Sequence, residues 1–131
     1  MNVVIPADVI SDMLAHARED SPRECCGLLV GKGSQVARSV RARNLDAKAT
    51  RYLIAPEDHF AAIRSARAIG LDVIGAYHSH PSSAPVPSET DIAEADNGPD
   101  FLYVIVSLVN DEVEAYRIAD GQSVRIRHQA A

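Results

Sequence analysis

The spacing of hydrophobic positions in this chain changes several times, and each change marks an element. After Pro6, the residues Val9, Ile10, Met13, Leu14 and Ala17 recur on one helical face, with Asp12, Arg18 and Glu19 opposite. This pattern predicts an amphipathic helix that Ser21-Pro22 stops. Cys25 to Val30 is apolar without alternation and is bounded by Gly31 and Gly33, the pattern of a strand covered on both faces, with Glu24 at its mouth. Over 35–43, Val36 and Val40 fall on one side and Arg41 and Arg43 on the other, which predicts the second arm of a hairpin. A polar connection over 44–50 leads to a short strand at Tyr52-Leu53-Ile54. Pro56-Glu57-Asp58 then opens a second helix, with Ala62, Ile63, Ala66 and Ile69 as its stripe and Gly70 as its end.

Leu71 to Tyr77 is apolar on both parities apart from Asp72, which predicts a strand near the centre of the sheet, with His78 and His80 at its C-terminal end. Pro81, Pro85 and Pro87 stiffen the loop that follows. Ser88 then has the character of an N-cap, with Asp91 three residues inside a short helix that Asn97-Gly98-Pro99 terminates. Phe101 to Val109 is the strongest strand pattern, and turns at Asn110-Asp111 and Asp120-Gly121 lead into 113–118 and 124–126. The chain should therefore close in an antiparallel meander, with 128–131 fraying. The fold class expected is α/β: a single domain over 1–131, built on a mixed, largely antiparallel sheet flanked by helices.

Composition narrows the function. The 131 residues, 47% hydrophobic and 24% charged, fit one globular domain, and a net charge of -5 argues against nucleic acid as a partner. Arg41, Arg43 and Arg51 are a local cluster in that acidic background. No membrane span and no basic, apolar leader is visible, so a cytoplasmic protein is expected. Cys25 and Cys26 are neighbours and lack the C-x-x-C spacing of a zinc ribbon or zinc deaminase, which predicts packing roles in a reducing compartment.

The candidate chemistry lies in 78–91. On a strand, His78 and His80 point to one side and Ser79 to the other, and the proline loop can return Asp91 to them. Two imidazoles and a carboxylate are a donor set for catalytic zinc, with water in the fourth position. They also sit where a central strand meets a loop, the usual place for function in an open α/β sheet. Ser88 and Asp91 have a competing explanation as a capping box, compatible with the first because the cap would aim Asp91. Glu24 could be a solvated strand-edge charge, and His16, His59 and His128 have no second ligand at useful spacing.

Glu24, then His78-Ser79-His80, then Ser88 and Asp91, with seven residues between His80 and Ser88 and two between Ser88 and Asp91, resembles the JAMM motif of the MPN+ (Mov34-type) metalloproteases. Arg23 to Leu29, Asn44 and Ile54-Ala55-Pro56-Glu57 extend the resemblance to compact prokaryotic members over nearly the whole chain. It implies the MPN/JAMM fold, which is cytidine-deaminase-like. It also implies one zinc per chain on His78, His80 and Asp91, with Glu24 as general base toward the zinc-bound water and Ser88 holding the water or the oxyanion. The substrate implied is the C-terminus of a small ubiquitin-like or sulfur-carrier protein, cut after its last glycine; homodimerisation is left open. Two other readings stand beside it: a noncatalytic MPN scaffold, and a zinc amidohydrolase of a small metabolite.

Overall fold

The computed structural model describes residues 2–130. In chain order the elements are β1 (Val3–Val4), α1 (Ala7–Asp20), β2 (Cys26–Lys32), β3 (Gln35–Ala42), α2 (Pro56–Ala68), β4 (Asp72–His80), α3 (Glu89–Ala93), β5 (Leu102–Ser107), β6 (Glu112–Ala119), β7 (Gln122–Ile126) and β8 (His128–Gln129). The strands form one sheet in the order β7-β6-β5-β4-β2-β3-β1-β8. β4 lies inside it, antiparallel to β2 and parallel to β5. The β5-β6-β7 meander follows as the alternation predicts. Its turns hold Asn110 and Asp111 at φ 66° and 54°, and Asp120 and Gly121 at 53° and 75°, positive values that Asn, Asp and Gly tolerate best.

The sheet curls, because β7 and β8 stand at opposite ends of the strand order yet are joined through Arg127. Helix α1 fills the concave side, where Val9, Met13 and Ala17 pack with Leu29, Tyr77, Val104 and Val106. Each such large side chain, once fully buried, contributes about 1.5–3 kcal/mol. On the convex side α2 covers Leu28 and Ala76 through Ala62, and Ile92 of α3 packs near Ile105 and Tyr103. Gly75 lets β4 and β5 approach: a Cβ there would stand 2.3 Å from the Leu102 carbonyl oxygen.

Two expectations are corrected. His128–Gln129 do not fray: they pair with β1, Ile5 N donates to Gln129 O at 2.9 Å, and His128 Nε2 bonds Val113 O at 2.8 Å. Ala131, the last residue of the expected tail, lies outside the described residues. Tyr52-Leu53-Ile54 is not a strand but an arm with a single bridge, Asn44 to Ile54, because Asn44 side-chain bonds replace the ladder. The central strand carries both histidines at its C-terminal end, as expected. It runs on through His80, since β5 continues beside it as far as Ser107, and so both histidines sit on rigid sheet.

Candidate active site

Strand parity separates the polar residues at the end of β4. Tyr77 and Ser79 face α1, while His78 and His80 share the convex side with Ala76. Cys26 pairs with His78, and Ser79 N donates to Cys25 O at 3.1 Å, so the register carried one residue further sets Glu24 opposite His80. The hydroxyl of Ser79 accepts from Cys25 N at 2.8 Å and fastens that segment from the other side. Two groups fifty-four residues apart thus fix the position of Glu24, which sequence spacing could not do.

Asp91 is placed by the capping box that the sequence suggests. Ser88 Oγ accepts from Asp91 N at 3.0 Å, and Asp91 Oδ2 accepts from Ser88 N at 2.9 Å, a complete capping box at the start of α3. The loop before it is pinned by Ser107 Oγ donating to Ser83 O and Tyr116 OH donating to Pro85 O, each at 2.6 Å. The same Asp91 Oδ2 lies 3.1 Å from His78 Nε2 and 3.2 Å from His80 Nε2, and the two ring nitrogens are 3.2 Å apart.

This triangle has the make-up of a cation site. His80 Nδ1 donates to Ala84 O at 2.9 Å, which in the neutral ring leaves a lone pair on Nε2. That lone pair faces a carboxylate oxygen and a second imidazole nitrogen, an arrangement of acceptors without a proton for every edge. Four ligands at zinc distances stand about 3.3 Å apart in a tetrahedron, close to the edges observed. The donor set therefore fits a metal ion, and His78, His80 and Asp91 form a group able to hold one.

Electrostatics divide the trio. Burial opposes ionisation of Asp91, but hydrogen bonds from His78 and His80 outweigh it and hold the carboxyl well below its usual range. Burial pushes the deeper His78 down, and Asp91 does not compensate fully. Burial also acts on His80, yet Asp91 and the Ala84 carbonyl outweigh it and raise its pKa. The two imidazoles therefore shift in opposite directions although both face the same carboxylate oxygen.

Glu24 is only 6% exposed, and its Oε1 is buried without a hydrogen-bond partner among the described residues. Burial raises its pKa to about 7; the charge of His80 opposes the rise, and Asp91 and Asp46 add to it. A carboxyl poised there can exchange protons near neutrality. Burial pushes the Cys25 and Cys26 thiols up to about 11 and about 12, which removes both as thiolates and agrees with packing roles.

Two residues near the site were not recognised as functional from the pattern of the chain. Asn44 donates from Nδ2 to Glu24 O at 2.9 Å and Arg51 O at 3.1 Å, while its Oδ1 accepts from Asp46 N and Leu53 N, both at 2.9 Å. Tyr52 stacks on His78, centroids 4.3 Å apart and planes at 19°. The resemblance includes Asn44 without giving it a role, and Tyr52 carries no local signal because its contact with His78 joins segments 26 residues apart. His16 pairs with Tyr77 inside the sheet, His59 lines a groove, and the three arginines of the local cluster pair with Glu19, with Glu57 and Asp58, and with Asp46 and Glu94.

That groove, about 590 Å³, runs beside the trio between the 51–54 arm and α3, with Leu28, Ile54, Ala76, Phe101 and Tyr103 among its apolar lining. Among the described residues no helix is long and apolar enough to cross a membrane.

The chain is 36% identical over 124 residues to a CysO-cysteine peptidase of Mycobacterium tuberculosis (strain ATCC 25618 / H37Rv), spanning 91% of this chain and 84% of that protein. It is 38% identical over 112 residues to a desampylase of Haloferax volcanii, spanning 79% and 78%. Its structure superposes on the solution structure of a Desulfitobacterium hafniense protein with a TM-score of 0.87 and 29% identity, covering 98% of this chain and 92% of the other. The model of the prokaryotic homologs of the JAB domain matches residues 6–119, and the chain belongs to that family.

Proposed function

We propose that this protein is a zinc peptidase that hydrolyses the amide bond after the C-terminal glycine of a small ubiquitin-like or sulfur-carrier protein. The observation that carries the reading is the convergence of His78, His80 and Asp91 on one point, with the buried Glu24 Oε1, unpartnered among the described residues, just before the neighbouring strand. Support for the substrate class comes from the relatives, which are named as a CysO-cysteine peptidase and a desampylase. When bound, zinc supplies Lewis acidity, acidifying water and polarising the scissile carbonyl.

The chain's own residues do the rest. His78 and His80 present Nε2, and Asp91 presents Oδ2, all held by sheet and capping box before any ligand arrives. Glu24 accepts the proton of the attacking water and returns it to the leaving amine. Ser88 uses an oxygen lone pair to cap α3, which leaves its O–H free to donate to the oxyanion. The groove, apolar in part, seats the extended tail of the carrier. No side chain is needed as a covalent nucleophile, consistent with the two inert thiols.

The test is incubation of the zinc-loaded protein with small carrier proteins bearing C-terminal extensions, read by intact mass. Loss of the extension after the last glycine is expected. Hydrolysis of small amides with every carrier left intact would replace this reading with a metabolite amidohydrolase.

A further inference from the structure

The two histidines of the trio are oriented by different means. His80 has its second ring nitrogen fixed by the Ala84 carbonyl, the arrangement usual for a metal-ligating histidine. Among the described residues, both hydrogen-bond contacts of His78 use Nε2, the nitrogen turned toward Asp91 and His80. Its strand neighbours, Cys26 on β2 and Ile105 on β5, carry no strong acceptor for the other nitrogen. The phenol ring of Tyr52 lies flat against the imidazole instead, centroids 4.3 Å apart.

We infer that Tyr52 is the positioning residue for His78: its ring takes the place of the missing second hydrogen bond and sets the plane in which Nε2 is presented to a metal ion. The inference rests on the metal-centre reading above. The support is itself rigid, because Asn44 bonds the backbone on both sides of Tyr52, at Arg51 O and Leu53 N. A third bond from the same side chain holds the Glu24 carbonyl. One asparagine therefore braces the group that orients a ligand and the segment that carries the base. Tyr52 also forms part of the groove wall, so the ring that orients His78 lies within reach of an occupant of the groove.

Stacking of this kind depends on the flat ring and not on the hydroxyl, which separates two substitutions. Zinc affinity is measured by competition with a chromophoric chelator, and ligand geometry by the visible spectrum of the cobalt-substituted protein. Tyr52→Phe should hold zinc within about threefold of the parent, whereas Tyr52→Leu should weaken it about 10–100-fold, the usual consequence of losing a ligand's outer support. The cobalt bands should shift in Tyr52→Leu and stay in place in Tyr52→Phe. Should the leucine variant not fold, as judged by circular dichroism of the metal-free protein, Tyr52→Met gives the same test with a more adaptable side chain. Parent-like affinity and an unchanged cobalt spectrum in the leucine or methionine variant would overturn the inference. His78→Ala distinguishes the two levels of the argument. Loss of stoichiometric zinc there, with parent-like binding in Tyr52→Leu, condemns only the role of Tyr52, while parent-like binding in His78→Ala condemns the metal centre itself.

Discussion

The two faces of β4 bury polar side chains equally deeply and treat them in opposite ways. Toward α1, Tyr77 is 1% exposed and Ser79 is fully buried; toward the convex side, His78 is 2% exposed and His80 5%. On the inner face the polar groups find complementary partners: Tyr77 OH pairs with His16 Nδ1 at 2.7 Å, His16 Nε2 lies 3.4 Å from Asp20, and Ser79 Oγ accepts from Cys25 N. On the outer face two ring nitrogens and a carboxylate oxygen crowd one point with too few protons for their three edges, and a neighbouring carboxyl oxygen has no partner among the described residues. Burial alone does not separate structural from functional polar groups; what separates them is whether the protein completes their hydrogen bonding by itself.

The sharpest way to break this contrast is to remove one residue from the outer face. Asp91→Ala should abolish stoichiometric metal binding and turnover together, because a carboxylate ligand and the anchor of the capping box go at once. Glu24→Gln should keep about one metal per chain and lower turnover by about 10²–10⁴-fold, the share expected of a positioned general base. Metal analysis of purified protein beside a turnover assay reads both. Parent-like turnover in Glu24→Gln would remove Glu24 from the reaction.

On the inner face the same kind of deletion should cost stability and leave the metal in place. Ser79→Ala strips the Cys25 N–H of its acceptor, and Tyr77→Phe strips His16 Nδ1 of its partner. Each should lower unfolding free energy by about 1–3 kcal/mol in urea titrations of the metal-free protein. If Ser79→Ala lost zinc as fully as Asp91→Ala, the two faces would not be independent, and the contrast would fail.

Much of this organisation was legible in the sequence because it is written in local periods. The stripe of α1, the unbroken apolar run of β2 and the alternation of the last strands each report burial within one element. His78, His80, Ser88 and Asp91 were legible for the same reason: strand parity and a capping box bring them into relation within fourteen residues. The resemblance to a known motif supplied Glu24, which strand parity alone could not place. What stayed hidden depends on long-range geometry. Asn44 belongs to the resemblance, but its role is not readable until its side chain is seen to bond both Glu24 and the arm carrying Tyr52. β8 is two residues long and exists because the sheet curls far enough to bring the chain's end beside β1.

The smallest expected effect lies in the pH dependence of stability, where the two faces should slope in opposite directions. Glu24 rises from 4.5 to about 7 on folding, so the folded metal-free protein holds a proton that the unfolded chain has released across that window. Its contribution is fully present below pH 4.5 and is lost as pH rises toward about 7. On the inner face, burial lowers the pKa of His16 from 6.5 despite Asp20, so its contribution is present above pH 6.5 and declines as pH falls. Melting temperatures of the chelator-treated protein should therefore show Glu24→Gln gaining on the parent, by several degrees, between about pH 4.5 and pH 7. His16→Gln should instead gain on the parent as pH falls below 6.5, by a smaller margin. Comparing each variant with the parent at every pH cancels the other carboxylates and histidines, which titrate in both. A difference for Glu24→Gln that stayed flat across its window would mean that the carboxyl is solvated in the folded protein, and the poised base on the outer face would lose its physical cause.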